Sequence, residues 1–452
     1  MTSFAVEERD LRHRGDRLRI RPRFGLSFLN NLMNTVHRVL AVVAASSAAS
    51  LLAGEWPQYR GAAGDGTTPE LLGWKSGSLK QVWKVPADSG FSSFTVSGGK
   101  AYTQVLREVD GAKQETLVAL DAATGKELWK AVLSPVKYDG GGEAGTKENN
   151  GGDGPRSTPT VSGGMVLVLS STLNLAAFDA ATGKQQWSKD LVAQYKGRNI
   201  RWQNAASPLV DNGVVYVAGG GAGESLLAFR LKDGAELWKK HDELMTHATP
   251  TAATIGGERQ IVFFLQSGLL AVNPGTGDEL WRYAFPFKIS TAASPVVGGD
   301  IVYCSAGYGV GGGAVKVEKN AGKWSATEIY RVTGDKQIAN HWSTPVVKDG
   351  HLYGMFQFKQ YGAGPLKCVD LKTGQVKWEK EGFGPGNVIL AGGRILALSD
   401  AGELVLAEAV PTGYKEVARQ KVLDGKCWST PVLADGRIYV RSTKEAASFA
   451  TK

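Results

Sequence analysis

"TLVALDAATGKELWK", Thr116 to Lys130, returns as "NLAAFDAATGKQQWSK", Asn174 to Lys189. Looser forms end at Lys240 ("LLAFRLKDGAELWKK"), Tyr283 ("LLAVNPGTGDELWRY") and Lys380 ("LKCVDLKTGQVKWEK"). A second phrase alternates with the first: "STPTVSGGMVLVLS" from Ser157, "ASPLVDNGVVYVAG" from Ala206, "ASPVVGGDIVYCSAG" from Ala293, "STPVVKDGHLYGMF" from Ser343 and "STPVLADGRIYVRS" from Ser429. The second phrase reads as two strands around a tight Gly turn, and the first as two more around a Thr-Gly turn. First strands fall near Phe94, Thr158, Ser207, Thr249, Ser294, Thr344, Asn387 and Thr430, with Pro-to-Pro spacings of 49, 42, 45 and 50 residues between Pro159 and Pro345. Four strands per 40 to 50 residues, repeated eight times, is the period of a propeller. Barrels and doubly wound sheets need helical stretches between strands, and the pattern has none.

The expected fold is therefore an all-β, eight-bladed propeller of four-stranded blades. The eighth blade runs out of chain one strand short, after "SFATK". "QVWK", Gln81 to Lys84, resembles the repeated fourth strand and precedes the first blade. That N-terminal strand is expected to complete the last blade and close the ring, which removes unpaired edges. Within the repeat, Asp121, Asp179 and Asp370 open turns whose backbone N–H groups a carboxylate can accept, and Gly125, Gly183, Gly277 and Gly374 supply positive φ. Trp83, Trp129, Trp187, Trp238, Trp281 and Trp378 recur at one phase, where a large flat side chain can fill the wedge between blades. The repeated sentence is a docking device, not a catalytic site.

The composition narrows the function classes. Of the formal charge of +9, a net +3 falls in residues 1–32, which hold seven Arg against four acidic residues, and Arg38 adds one more. The remainder carries interspersed signs, so nucleic acid is not an expected partner. The three cysteines are widely separated and form no CxxC, which supports neither zinc nor c-type haem nor a disulfide framework. Residues 1–53 read as a basic extension followed by a secretory signal peptide, with Met33 as an alternative start. The rival reading is a membrane anchor, although the apolar run from Val39 to about Ala53 is short for a span. Residues 54–78 form a leader and 79–452 the propeller. The expected product is a periplasmic or secreted monomer without stable membrane insertion after cleavage.

The motif "AxDxxTGxxxW", clearest at Ala119–Trp129 and Ala177–Trp187, resembles the tryptophan-docking motif of the pyrroloquinoline-quinone-like, eight-bladed propellers. The resemblance covers roughly residues 79–450. It implies the fold, and it implies a superfamily containing calcium- and quinone-dependent dehydrogenases, BamB-like assembly lipoproteins and secreted propellers. The leader "EWPQYRGAAGDGTTPELLGWK" from Glu55 is similar to that of the secreted group at Trp56, Tyr59, Arg60 and Gly61. The chain departs from the dehydrogenases in lacking adjacent cysteines, and from the lipoproteins in carrying Glu55 where a lipidated Cys would stand.

Residues just before each first strand should lie at the mouth of the central channel. They include the cations Arg156, Arg201 and Lys288, the aromatics Trp202, Trp342 and Trp428, the imidazoles His247 and His341, and the amides Asn204 and Asn387. Cations could meet an anionic group and Trp faces a planar or sugar-like ligand, while the plainer reading is a sealed channel. Two His without a third ligand do not make a metal site. Glu143, Glu148 and Asp153 sit in a Gly-rich insertion that fixes no distance between them. The expected function is a non-catalytic binding or scaffold propeller engaging a protein or carbohydrate at its funnel, with no cofactor. Two alternatives stand beside it: a dehydrogenase using pyrroloquinoline quinone with calcium, and a BamB-like assembly factor.

Overall fold

In the computed structural model, which describes residues 54–136, 154–288, 291–356 and 364–452, the repeats form eight antiparallel sheets around one ring. Blades 1 to 6 comprise residues 95–135, 160–190, 209–240, 251–284, 296–332 and 346–380, each with four strands. Blade 7, residues 387–421, gains a fifth, two-residue strand from the leader. Blade 8 contributes three strands of its own, and Lys80–Pro86 supplies the fourth. Gln81 pairs antiparallel with Phe449 and Trp83 with Ser448, the closure expected from the orphan "QVWK". The signal-peptide reading and Glu143, Glu148 and Asp153 fall outside the described residues.

The second and third strands of the blades do not alternate in burial. Val166, Leu167, Val168 and Leu169 are all fully buried, because each blade is covered on both faces by its neighbours. Strands buried on both faces read as continuous apolar runs. Only the outermost strands, such as Val376–Lys380, face solvent along most of their length.

Two seams hold adjacent blades together. At the outer seam the Trp of one blade lies on the turn glycine of the next. A Cβ on Gly125, Gly183, Gly234 or Gly277 would stand within 2.8 Å of Trp83, Trp129, Trp187 or Trp238 respectively, and all four glycines have φ between +68° and +73°. The indole N–H then donates into the same turn, for example from Trp238 to the Pro274 carbonyl at 2.9 Å. A second-strand tyrosine converges on that carbonyl: Tyr216 reaches Pro274, Tyr102 joins Trp129 at Ala180, and Tyr439 joins Trp83 at Ala122. The Asp121 carboxylate accepts the Thr124 hydroxyl and the Ala123 and Thr124 N–H groups, which hold it below the usual carboxylate range.

The seam changes where the motif decays. Trp281 turns its N–H to Gln260 within its own blade, because blade 5 offers a hairpin at Asn320–Lys323 in place of a Thr-Gly turn. Tyr330 takes the Trp position against Gly374, and Trp378 donates to the Val410 carbonyl.

The inner seam explains the Ser/Thr-Pro phrase. Ser93 N–H donates to Thr158 Oγ1, Thr158 N–H to Ser207 Oγ, and Ser207 N–H to Thr249 Oγ1, at 2.9 to 3.1 Å. Ser294 N–H donates to Thr344 Oγ1, and Thr430 N–H returns to Ser93 Oγ across the closure. One step outward, the Thr95, Thr160 and Thr251 hydroxyls donate to the carbonyls of Pro159, Pro208 and Pro295. Each hydroxyl thus satisfies a buried main-chain group of its neighbour. Thr158→Val, nearly isosteric, is expected to leave the Ser93 N–H buried without a partner and cost about 1–3 kcal/mol, measured by urea unfolding. An unchanged midpoint would remove the girdle from the account.

The leader crosses the channel. Trp56 exchanges backbone bonds with Val96 of blade 1, and the Pro57 carbonyl accepts from Val161 of blade 2. Arg60, 4% exposed, then donates to the Thr344 and Pro345 carbonyls of blade 6 at 2.8 and 2.7 Å. Thr67 and Thr68 pair parallel with Leu390 and Ala391 of blade 7, and Glu70 accepts the Asp435 and Gly436 N–H groups of blade 8. Between these anchors, Gln58 to Gly64 border a small cavity with residues of blades 3 to 5.

Candidate functional site: a blind aromatic cup

Because the leader spans one end, the channel opens as a cup with Tyr59 among its lining residues. Its walls follow from the girdle. The side chain two positions before a girdle hydroxyl projects into the cup from blade after blade: Phe91, Arg156, Ala205, His247, Ala292, Trp342 and Trp428. Beneath them Ser93, Thr158, Ser207, Thr249 and Thr430 line the wall.

The aromatic groups form a continuous collar. Phe91 stacks on Trp428 at 5.0 Å, and Trp428 packs on Trp342 at 4.4 Å. Trp342 meets His341 at 5.3 Å, His341 meets Tyr308 edge-on at 4.9 Å, and Tyr308 lies parallel to Trp202 at 6.2 Å. Arg156 closes the circuit, donating to the Trp202 carbonyl at 3.0 Å with its guanidinium 6.0 Å from the Phe91 ring centre. The indoles are fixed from behind: Trp342 donates to the Pro385 carbonyl at 2.8 Å, and Trp428 donates to Asp400. Trp202, Gln203 and Tyr308 take φ of +67°, +62° and +60°, left-handed values that cost non-glycine residues energy. Three strained residues with two of the collar rings among them mark this rim as a place where the backbone is held to present side chains.

Both imidazoles are neutral near pH 7. Burial, with the charge of Arg156 and then His341, lowers His247 to about 3, and burial lowers His341 to about 3. Arg156 is the only formally charged side chain among the described lining residues.

Seven of the ten sequence candidates meet here: Arg156, Trp202, His247, His341, Trp342, Asn387 and Trp428. Three do not. Arg201 is exposed and is not among the lining residues, with its guanidinium 4.8 Å from the Trp202 ring centre. Asn204 is buried as a backbone clamp, donating to the Leu169, Ser170 and Ala206 carbonyls and accepting the Ala206 N–H. Lys288 is exposed away from the lining, since Ala292 holds the inward phase in blade 5. Phe91 was legible as the blade-1 counterpart of Trp342 and Trp428, but "FSSFT" disguises the phrase. Tyr308, on the turn between the second and third strands of blade 5, carried no such signal.

The lining does not suit pyrroloquinoline quinone with calcium. Among the described residues no group of three or more His, Cys, Asp or Glu could hold a metal. Cys304, Cys368 and Cys427 are buried in separate blades. A quinone site needs acidic oxygen ligands for the cation and a base for the substrate proton, and the described lining residues include no carboxylate for either task.

The family model described as outer membrane protein assembly factor BamB matches residues 113–380. The BamB of Shewanella oneidensis is 28% identical over 260 residues, which is 54% of this chain and 61% of that protein, less than two thirds of its length. The BamB of Yersinia pestis is 25% identical over 364 residues, 80% of this chain and 76% of its own. Among solved structures, BamB of Moraxella catarrhalis superposes with a TM-score of 0.58 at 13% identity, covering 82% of this chain and 100% of the other. The quinohemoprotein alcohol dehydrogenase of Comamonas testosteroni gives 0.61 at 14% identity, covering 88% and 80%. At such identities the structural likeness speaks for the fold alone.

Proposed function

We propose, from the premise that the chain belongs to the family of the outer membrane protein assembly factor BamB, that it is a non-catalytic binding propeller whose cup engages its ligand or partner. The observation that carries this reading is the collar: six rings and one guanidinium, drawn from six of the eight blades, meet at the mouth of a channel closed behind them. A blind, largely apolar concavity with a few convergent polar groups is the form of a binding site. A catalytic reading would require a base, nucleophile or metal set, and the described lining has no assigned one. The protein would act in the periplasm or outside the cell, as its family suggests. Among the described residues no helix is long and apolar enough to cross a membrane.

The family name adds a second, narrower reading, that the ligand is a component or client of outer-membrane assembly. A strain lacking the gene separates the two. Complementation with the wild type should restore growth under envelope stress, and Trp342→Ala with Trp428→Ala should fail while matching wild-type abundance. If outer-membrane protein levels recover in parallel, the assembly role is supported; if growth recovers without them, it is not. Full complementation by the collar variant would overturn the cup as the working surface.

A further inference from the structure

The hydroxyl girdle is interrupted at a step that the repeats do not explain. Blade 7 lacks the Ser/Thr-Pro phrase and opens on Asn387, so no hydroxyl stands there to accept. Blade 5 has the phrase: "ASP", Ala293 to Pro295, repeats the "ASP" of Ala206 to Pro208 in blade 3. Ser207 Oγ accepts the Thr158 N–H of the blade before it at 2.9 Å. Ser294 is 3% exposed, yet among the described residues its hydroxyl has no hydrogen-bond partner. The bond that the repeat calls for, from the Thr249 N–H of blade 4, is therefore not made. A buried hydroxyl in that condition bears the whole cost of its desolvation.

The interruption coincides with the weak side of the cup floor. The leader's hydrogen bonds reach blades 1, 2, 6, 7 and 8, and among the described residues none reaches blades 3, 4 or 5. On that side lies the small cavity under the leader, and Tyr59, Thr249 and Ser294 all line it. The Tyr59 hydroxyl stands 3.5 Å from Thr344 Oγ1, which already accepts the Ser294 N–H at 3.0 Å. Polar groups of the leader, blade 4 and blade 5 thus border one enclosed space. Arg60, also on its border, has its guanidinium committed to the carbonyls of Asp65, Thr344 and Pro345.

We propose that this cavity is the site of an ordered water, which accepts the Thr249 N–H and shares hydrogen bonds with Ser294 Oγ and the Tyr59 hydroxyl. Buried waters sit where roughly two to four polar groups converge on a space that holds one. An N–H only gives, while hydroxyls both give and take, and water satisfies all three where a cation would leave the N–H unmet. The water completes the girdle between blades 4 and 5 and ties the leader to them. Because Tyr59 lines both this cavity and the cup, the same water holds part of the cup floor in place.

A crystal structure of the wild-type protein, at a resolution that shows waters, tests the site directly. It should contain one density peak within about 3.2 Å of both Thr249 N and Ser294 Oγ. Two nearly isosteric variants, Ser294→Thr and Ser294→Val, supply a second readout. Threonine already occupies this position in blades 2, 4 and 6, as Thr158, Thr249 and Thr344. Ser294→Val should melt about 1–3 °C below Ser294→Thr, because only the threonine keeps a hydroxyl for the water. A Ser294 hydroxyl turned to accept the Thr249 N–H directly would overturn the proposal, as would a cavity without density or equal melting of the two variants. Should Ser294→Val fail to fold, the wild-type density alone decides.

Discussion

Arg441→Ala is expected to destabilise the propeller by about 4 kcal/mol or more, because a charged side chain in the closing seam would vanish from a fully occupied site. Arg441 belongs to blade 8, is 1% exposed, and reaches into blade 1. It donates to Thr103 Oγ1 at 2.8 Å and to the carbonyls of Gln104, Asp88 and Gly90 at 3.0, 2.7 and 3.3 Å. Burial lowers its pKa to about 10, so it is still charged at pH 7. Truncation would leave three carbonyls without that donor at the seam between the last blade and the first. Arg441→Lys should recover only part of the loss, since an ammonium cannot span four acceptors as a planar fork does. Urea unfolding followed by tryptophan fluorescence measures both. An Arg441→Ala midpoint within error of wild type would mean that strand pairing alone carries the closure.

The second large effect is on acid stability. His247 and His341 titrate near 6.5 in an unfolded chain and near 3 in the folded one. Below pH 6.5 the unfolded state therefore binds more protons than the folded state. The stabilisation is present in full above pH 6.5 and is lost as pH falls toward 3. Each imidazole contributes about 1.4 kcal/mol per pH unit across that window, so the pair removes about 5 kcal/mol between pH 6.5 and 4.5. His247→Gln with His341→Gln should flatten the stability curve over this interval relative to wild type, leaving the carboxylate contribution below pH 4. Parallel curves for the two proteins would show that the imidazoles are hydrated. The same arithmetic predicts that ligand affinity at the cup varies little between pH 7 and 8, where neither His changes charge.

Much of this architecture could be read from the chain because the repeats are local. The Thr-Gly turn, its Asp and the Trp four residues on lie within one hairpin, so their spacing survives in the sequence. The inward phase ahead of "STP" was equally local, and it located Arg156, His247, Trp342 and Trp428. Arg201, Asn204 and Lys288 lie outside the lining because they flank that phase without occupying it. In blade 3 Ala205 holds it, and Trp202 reaches the cup only through a left-handed backbone that spacing does not reveal. The floor was illegible for a different reason. Arg60 bonds to Thr344 and Pro345 across more than 280 residues, and nothing in "WPQYRG" says that its arginine ends among carbonyls of the sixth blade. The Tyr–Trp convergence at the outer seam likewise joins different blades, so neither repeat alone announces it.

The central claim is that the cup mouth, and not the outer rim, is where this propeller meets its ligand. Tyr308 is 41% exposed on the collar, and Leu128 is 46% exposed on the outermost strand of blade 1. A photo-crosslinking amino acid placed at each position in living cells, with purified adducts compared by mass, tests the claim directly. The account predicts one reproducible adduct from position 308, lost when Trp342 and Trp428 are replaced by alanine, and none from position 128. A specific adduct from position 128 with none from position 308 would contradict it.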